Sequence, residues 1–252
     1  MARLTDIVAF TNDFLEIDKF EDYSPNGLQV EGNKEVKRIV SGVTASQALI
    51  DGAIELGADM ILVHHGFFWR GESNEIVGLK YQKIKSLIES KISLVAYHLP
   101  LDAHPLCGNN AQLAKRLGVS LSSTFGPGKI PLGVVGELGE TLTADIFVDH
   151  IQGVLKRKPL HIGANLTKRV KKIALCTGGA QSYFSSAIEQ GVDIFVTGEV
   201  SEQNYHMALE SGVNFVAAGH HATERYGVQA LADLLREKFS VEVNYVELAN
   251  PV

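Results

Sequence analysis

Apolar residues recur along this chain in two periods that alternate with each other. The amino-terminal stretch MARLTDIVAFTNDFLEI spaces them along one face of a helix. Short continuous apolar runs of strand character follow, ending at Val63 before His64-His65, at Tyr97 before His98 and at Gly219 before His220-His221. Amphipathic stretches separate these runs. Strand, turn, amphipathic helix and strand in succession predict βαβ units, because parallel strands need a crossover connection of helical length. The pattern therefore predicts an α/β fold with largely parallel sheets.

The pattern also repeats. Residues 40–65, VSGVTASQALIDGAIELGADMILVHH, align without gaps to residues 174–199, ALCTGGAQSYFSSAIEQGVDIFVTGE, so that Gln47 meets Gln181, Gly57 meets Gly191, Asp59 meets Asp193 and His65 meets Glu199. A third strand follows in each half, and setting His98 on His220 places Asp102 on Glu224. Residues 66–91 supply the longer connection of the first copy. Residues 120–170 are rich in Gly and Pro at first and then read as a helix from Leu142 to Leu155. These features predict two similar α/β domains from a tandem duplication, 1–124 and 125–252, with the carboxyl-terminal segment available to pack back on the first and a metal site between them.

Composition excludes more than it identifies. The chain has 252 residues, of which 45% are hydrophobic and 21% charged, and a net charge of -6. This describes a globular protein without the basic clusters of an extended nucleic-acid surface. The basic stretches at Lys156 to Lys158 and Lys168 to Lys172 read as solvated surface. Cys107 and Cys176 stand far apart without CxxC spacing, which argues against disulfides or a thiolate metal site and fits a cytoplasmic location. Neither a signal peptide nor a membrane-spanning run is evident.

The histidines carry the chemistry. Nine His in a chain of this length should produce only about 0.3 adjacent pairs by chance. Two pairs occur, both at predicted strand ends, where ligands of parallel α/β sheets collect. Neighbouring residues on a strand point to opposite sides, so His64 and His65 are expected to serve different ions. If HHATE opens a helix, His220 and Glu224 share a face one turn apart. His64, His65, Asp102, His220 and Glu224 are thus candidate ligands, and imidazole with carboxylate suits Zn, Fe, Mn, Co or Ni. A His pair can also be a hydrogen-bonded structural element and a lone acid a helix cap; the duplicated placement favours ligands. His98 reads as a group that steadies a ligand. His104, His150, His161 and His206 read as surface or locally bonded residues.

The motifs YSPNGLQVEG (23–32), GVTAS (42–46), ILVHHGFFW (61–69), HLPLDAH (98–104), NNAQLA (109–114), CTGGAQS (176–182), TGEVSEQ (197–203) and AGHHATER (218–225) together resemble the Nif-three-like dinuclear metal proteins, bacterial YbgI branch, which carry the label of type 2 GTP cyclohydrolase I homologues. The resemblance implies the same five ligands, two divalent metal ions per chain with Glu224 bridging them, and a toroidal homohexamer. It also implies a hydrolase in which a metal-bound hydroxide attacks C8 of the guanine of GTP and releases formate. Proton shuttling in that reaction would fall to His98, His221 or Glu199. Gly178, Gly179 and Ser182, in a strand-to-helix turn, are candidate phosphate contacts. The sequence equally admits a dinuclear phosphoesterase or a non-enzymatic metal-binding scaffold or regulatory partner.

Overall fold

A computed structural model describes residues 1–252. In chain order the elements are β1 (Ala2–Arg3), α1 (Leu4–Phe14), β2 (Gly27–Val30), β3 (Glu35–Val36), β4 (Arg38–Thr44), α2 (Gln47–Glu55), β5 (Met60–His65), α3 (Gly78–Glu89) and β6 (Ser93–Ala96). Next come α4 (Leu99–Ala103), α5 (Asn109–Leu117), β7 (Val119–Phe125), β8 (Gly133–Thr143), α6 (Ala144–Leu155), β9 (Leu160–Ile162) and β10 (Arg169–Leu175). The chain ends with α7 (Phe184–Glu189), β11 (Ile194–Thr197), α8 (Glu202–Ser211), β12 (Asn214–Ala217), α9 (His220–Phe239) and β13 (Glu242–Tyr245). No helix is long and apolar enough to cross a membrane.

The fold is α/β in two compact units, Met1–Leu101 with Gly227–Ala249, and Asp102–Tyr226 with Asn250–Val252. In the first unit, β13-β4-β5-β6-β2 form one sheet, parallel except for β2, which runs antiparallel to β6. One core of this unit gathers Val40, Ile61, Val63 and Leu94 with Leu49, Ile50 and Ala53, the apolar face of α2, and Leu87 of α3. Ser46 starts α2 by accepting the Leu49 N–H at 3.2 Å, satisfying one of the donors that a helix start leaves over.

The second unit orders its sheet β7-β8-β10-β11-β12-β9. Only the β10-β11-β12 ladders are parallel; β7, β8 and β9 join antiparallel. The sheet is therefore mixed rather than largely parallel. One core gathers Phe147, Ile151, Ile173, Ile194 and Val216, and another centres on Phe184, Phe195 and Phe215. The Phe215 ring lies 4.9 Å from Phe184 and 5.7 Å from Phe195, edge-on to both, an arrangement that aromatic quadrupoles favour.

The internal repeat is written into hydrogen bonds. Ile39↔Met60, Val40↔Ile61 and Ser41↔Leu62 of β4 and β5 recur, each 134 residues on, as Ile173↔Ile194, Ala174↔Phe195 and Leu175↔Val196. Asp59 Oδ2 accepts the N–H groups of Lys37 and Arg38; Asp193 Oδ2 accepts those of Lys171 and Lys172. Gly57 and Gly191, at φ +64° and +63°, close the preceding helices in the left-handed region that suits glycine.

Three expectations change. The third-strand ladder pairs Met60 with Ser93 and Ile194 with Asn214, which sets Ser93 on Asn214 and hence His98 on Gly219, one residue short of His220. Residue 125, the expected boundary, ends β7 inside the second unit, because β7 pairs along β8. The helix expected from Leu142 begins at Ala144, since Leu142 and Thr143 still belong to β8. Residues Gly227–Ala249 belong to the first unit, where β13 pairs with β4.

Phe215 is 0% exposed, so Phe215→Ala should lower unfolding free energy by about 3–5 kcal/mol, read from urea denaturation.

Candidate metal centre

In the first unit, β5 delivers His64 and His65 to the carboxyl end of the parallel sheet, and the chain leaving β6 delivers His98. His64 is fully buried, and its Nδ1–H donates to the Tyr97 carbonyl at 2.9 Å. A carbonyl can only accept, so the neutral ring carries its proton on Nδ1 and its lone pair on Nε2. His98 repeats the device: Nδ1 lies 2.7 Å from Asp22 Oδ1. His65 Nδ1 meets the Thr44 hydroxyl at 3.1 Å, which can donate or accept and so leaves the tautomer open. Candidate ligand nitrogens of His64, His65 and His98 all lie within 4.8 Å of one another.

The rings of His64 and His65 stand 4.5 Å apart. Strand alternation governs the Cβ directions, whereas an imidazole at a strand terminus reaches well beyond Cβ, so the two rings come near each other.

Asp22 is the functional residue that sequence reasoning misses. Its carboxylate accepts from Tyr23 N–H at 2.6 Å, His98 at 2.7 Å, Asn26 Nδ2 at 2.8 Å and Leu99 N–H at 2.9 Å. Burial acts to raise this carboxyl, but the His98 hydrogen bond and charge, Asn26 and the Tyr23 N–H outweigh it and hold the group below its usual range. Its one sequence signal is position, immediately before the YSPNG run.

In the second unit, α9 opens at His220 and places Glu224 one turn on, with His220 Nε2 3.0 Å from Glu224 Oε2. His220 Nδ1 lies 2.7 Å from Glu199 Oε1. Burial would lower the imidazole, yet the hydrogen bonds and charges of Glu224 and then Glu199 raise it to about 9. Two carboxylates holding an extra proton in a largely buried setting form a place of excess negative charge that suits a cation. Asp102, 6% exposed, accepts from Asn109 Nδ2 at 2.8 Å. Asn110 ties the same segment to the end of β10: its Nδ2 donates to the Asp102 carbonyl, and its Oδ1 accepts the Thr177 N–H. Burial first, and then the charges of Asp102 and Glu224, push the buried Cys176 thiol up.

Other expected residues fall elsewhere. Glu199 orients His220, with Gln181 Nε2 donating to its other oxygen at 3.1 Å. His221 is buried, and its N–H donates to the Val252 carbonyl at 3.2 Å. The Gly178 N–H donates to Thr223 Oγ1 and is committed. Gly179 faces the Glu199 carboxylate, which repels a phosphate. Ser182 is the middle residue of the single helical turn Gln181–Tyr183. Local bonds do occupy His104, with the Cys107 N–H, His161 with Asn214, and His206 with Glu202.

These are residues of a class of α/β protein whose His and carboxylate clusters suit divalent metal ions. The sequence profile of the Duf34/NIF3 (NGG1p interacting factor 3) family matches residues 2–251, and the chain belongs to that family. It is 50% identical over 250 residues to the "GTP cyclohydrolase 1 type 2 homolog" of Pseudomonas aeruginosa, covering 98% of each chain. To the protein of the same name in Haemophilus influenzae it is 51% identical over 240 residues, 95% of this chain and 96% of that one. The solved structure of protein ybgI, described as of unknown function, is 47% identical with a TM-score of 0.96 over 100% of both chains. A solved protein from Thermus thermophilus, TTHA1606, is 32% identical with a TM-score of 0.89, again over 100% of both.

Gly178 gives a direct test of the packing. At φ +70° any Cβ there would overlap Glu224 Oε1 and lie 3.3 Å from His220 Nε2. Gly178→Ala should cost about 1–3 kcal/mol from backbone conformation alone and displace Glu224, read as a lower denaturation midpoint and reduced metal content.

Proposed function

We propose that this chain is a dinuclear metal-dependent hydrolase, a homologue of type 2 GTP cyclohydrolase 1, which holds two divalent ions with His64, His65, Asp102, His220 and Glu224 and acts on a nucleotide or similar small molecule. The observation that carries the reading is the common treatment of three imidazoles. His64, His98 and His220 each commit Nδ1 to an oxygen, that of Tyr97, Asp22 and Glu199 respectively. Metal-binding histidines are characteristically oriented in this way, so Nε2 of the proposed ligands His64 and His220 would face an ion, while that of His98 is left to exchange a proton. Imidazole and carboxylate without thiolate suit Zn, Fe, Mn, Co or Ni. Two such ions, when bound, supply Lewis acidity and an activated water.

The chain's own residues do the rest. His64 and His65 arrive on one rigid strand end, and Glu224 is fixed by the first turn of α9. Asp22 orients His98 so that Nε2 is the atom able to accept or return a proton during hydrolysis. Glu199 acts on His220 rather than on substrate, and His98, oriented by Asp22, is the proposed shuttle. The nucleotide assignment is supported by the name of the relatives, which are half identical to this chain over nearly its full length. A homohexameric ring in the cytoplasm completes the proposal; the two free buried thiols fit a reducing compartment.

Metal content per chain, measured on the wild type and on His64→Ala and Glu224→Ala, is the test. About two ions per chain in the wild type, fewer in both variants, and formate release from GTP are expected. A wild-type protein that remains metal-free after reconstitution with Zn, Mn and Fe would overturn the reading. Full metal loading with neither formate release nor phosphoester cleavage would instead identify a metal-binding scaffold.

A further inference from the structure

The loop after β5 sets aromatic rings against the histidine cluster, and the hydrolase reading does not use them. Trp69 stands edge-on to His98 with ring centres 4.9 Å apart, and 5.8 Å from His65. Tyr23 lies 6.4 Å from the same His98 ring and is 57% exposed. Neither ring is a core residue, since Trp69 is only partly buried.

The loop is built to hold them. Phe68 sits at φ +65°, in the left-handed region that a bulky residue seldom adopts. Surrounding bonds impose this backbone: Phe67 N–H donates to Gln29 Oε1 at 2.6 Å, and Arg70 N–H donates to the Tyr23 carbonyl at 2.6 Å. The Arg70 guanidinium donates to the Asp22 carbonyl at 2.9 Å and lies 5.6 Å from the centre of the Tyr23 ring. The same short segment, residues 22–23, therefore orients His98 through Asp22 and presents Tyr23. Strain maintained by several bonds beside a candidate reaction centre is a mark of a functional loop.

The indole N–H of Trp69 is already directed to the Gly66 carbonyl at 3.2 Å. Its remaining capacity is the ring itself, which stacks planar bases whatever their hydrogen-bond edges. Arg70 is exposed and cationic next to Tyr23, placed for an anion attached to such a base. Resting on the hydrolase reading above, we propose that Trp69 and Tyr23 form an aromatic seat for the heterocyclic base of a nucleotide substrate, with Arg70 contacting its phosphate. The seat adds a base-recognition surface beside the histidine cluster.

Trp69 is the sole tryptophan of the chain, so its fluorescence reports on the seat directly. Metal-loaded protein titrated with GTP, guanosine and tripolyphosphate should show saturable quenching by the first two and none by the third. Equilibrium dialysis should find GTP affinity lowered at least about fivefold in Trp69→Leu and nearer to wild type in Trp69→Phe, since stacking contributes in that range. Tripolyphosphate affinity should be unchanged in Trp69→Leu and weakened in Arg70→Gln. Unaltered GTP affinity in Trp69→Leu, or absence of quenching by guanosine, would overturn the seat. Because metal content is measured on the same preparations, an intact metal complement with no quenching removes the seat alone, whereas failure to load metal removes the hydrolase reading.

Discussion

An imidazole can give a metal ion only the nitrogen that carries no proton, so the group that holds the other nitrogen decides where the lone pair points. Here three different acceptors do this: a backbone carbonyl for His64, Asp22 for His98 and Glu199 for His220. Much of the neighbouring architecture serves these acceptors. The Tyr97 carbonyl is presented because β6 ends there, next to β5. Asp22 draws Tyr23, Asn26 and Leu99 around its oxygens, organising a segment that has no regular structure of its own. Glu199 lies two residues past the end of β11 and is steadied by Gln181. The buried Asp22 carboxylate is met by several donors, which offsets its desolvation.

The five proposed ligands are legible in the sequence because each lies at a place that sequence marks well, either the end of a continuous apolar run or one turn into a helix. The three parallel strands common to both units are legible for the same reason, and the Asp59 and Asp193 tethers show that the gapless alignment of the two copies follows real ladder register. The third strand slips by one residue because its two copies share little identity, and alternation alone does not fix register when every position is buried. Asp22 is invisible to pattern because it acts on a histidine 76 residues away from a loop with no periodicity. The β7–β8 hairpin reads as a linker since five of the seven residues of β7 face solvent and its turn is rich in Gly and Pro. Local chemistry at Gly178 is equally hidden: a glycine in a strand-to-helix turn suggests a phosphate cradle, yet here it makes room for a carboxylate.

The path of the chain between its two units bears on how the molecule can be dissected. The first unit takes β13 from the carboxyl terminus, and β13 covers the edge of β4 by pairing Glu242 to Tyr245 with Arg38 to Ser41. Arg38 reinforces that edge, with its guanidinium 2.6 Å from Glu242. A fragment cut at the midpoint of the chain would carry α5 and β7 without the strand that β7 pairs with, and would leave β4 as a bare, apolar sheet edge open to other chains. The duplicated halves are therefore not separable cassettes.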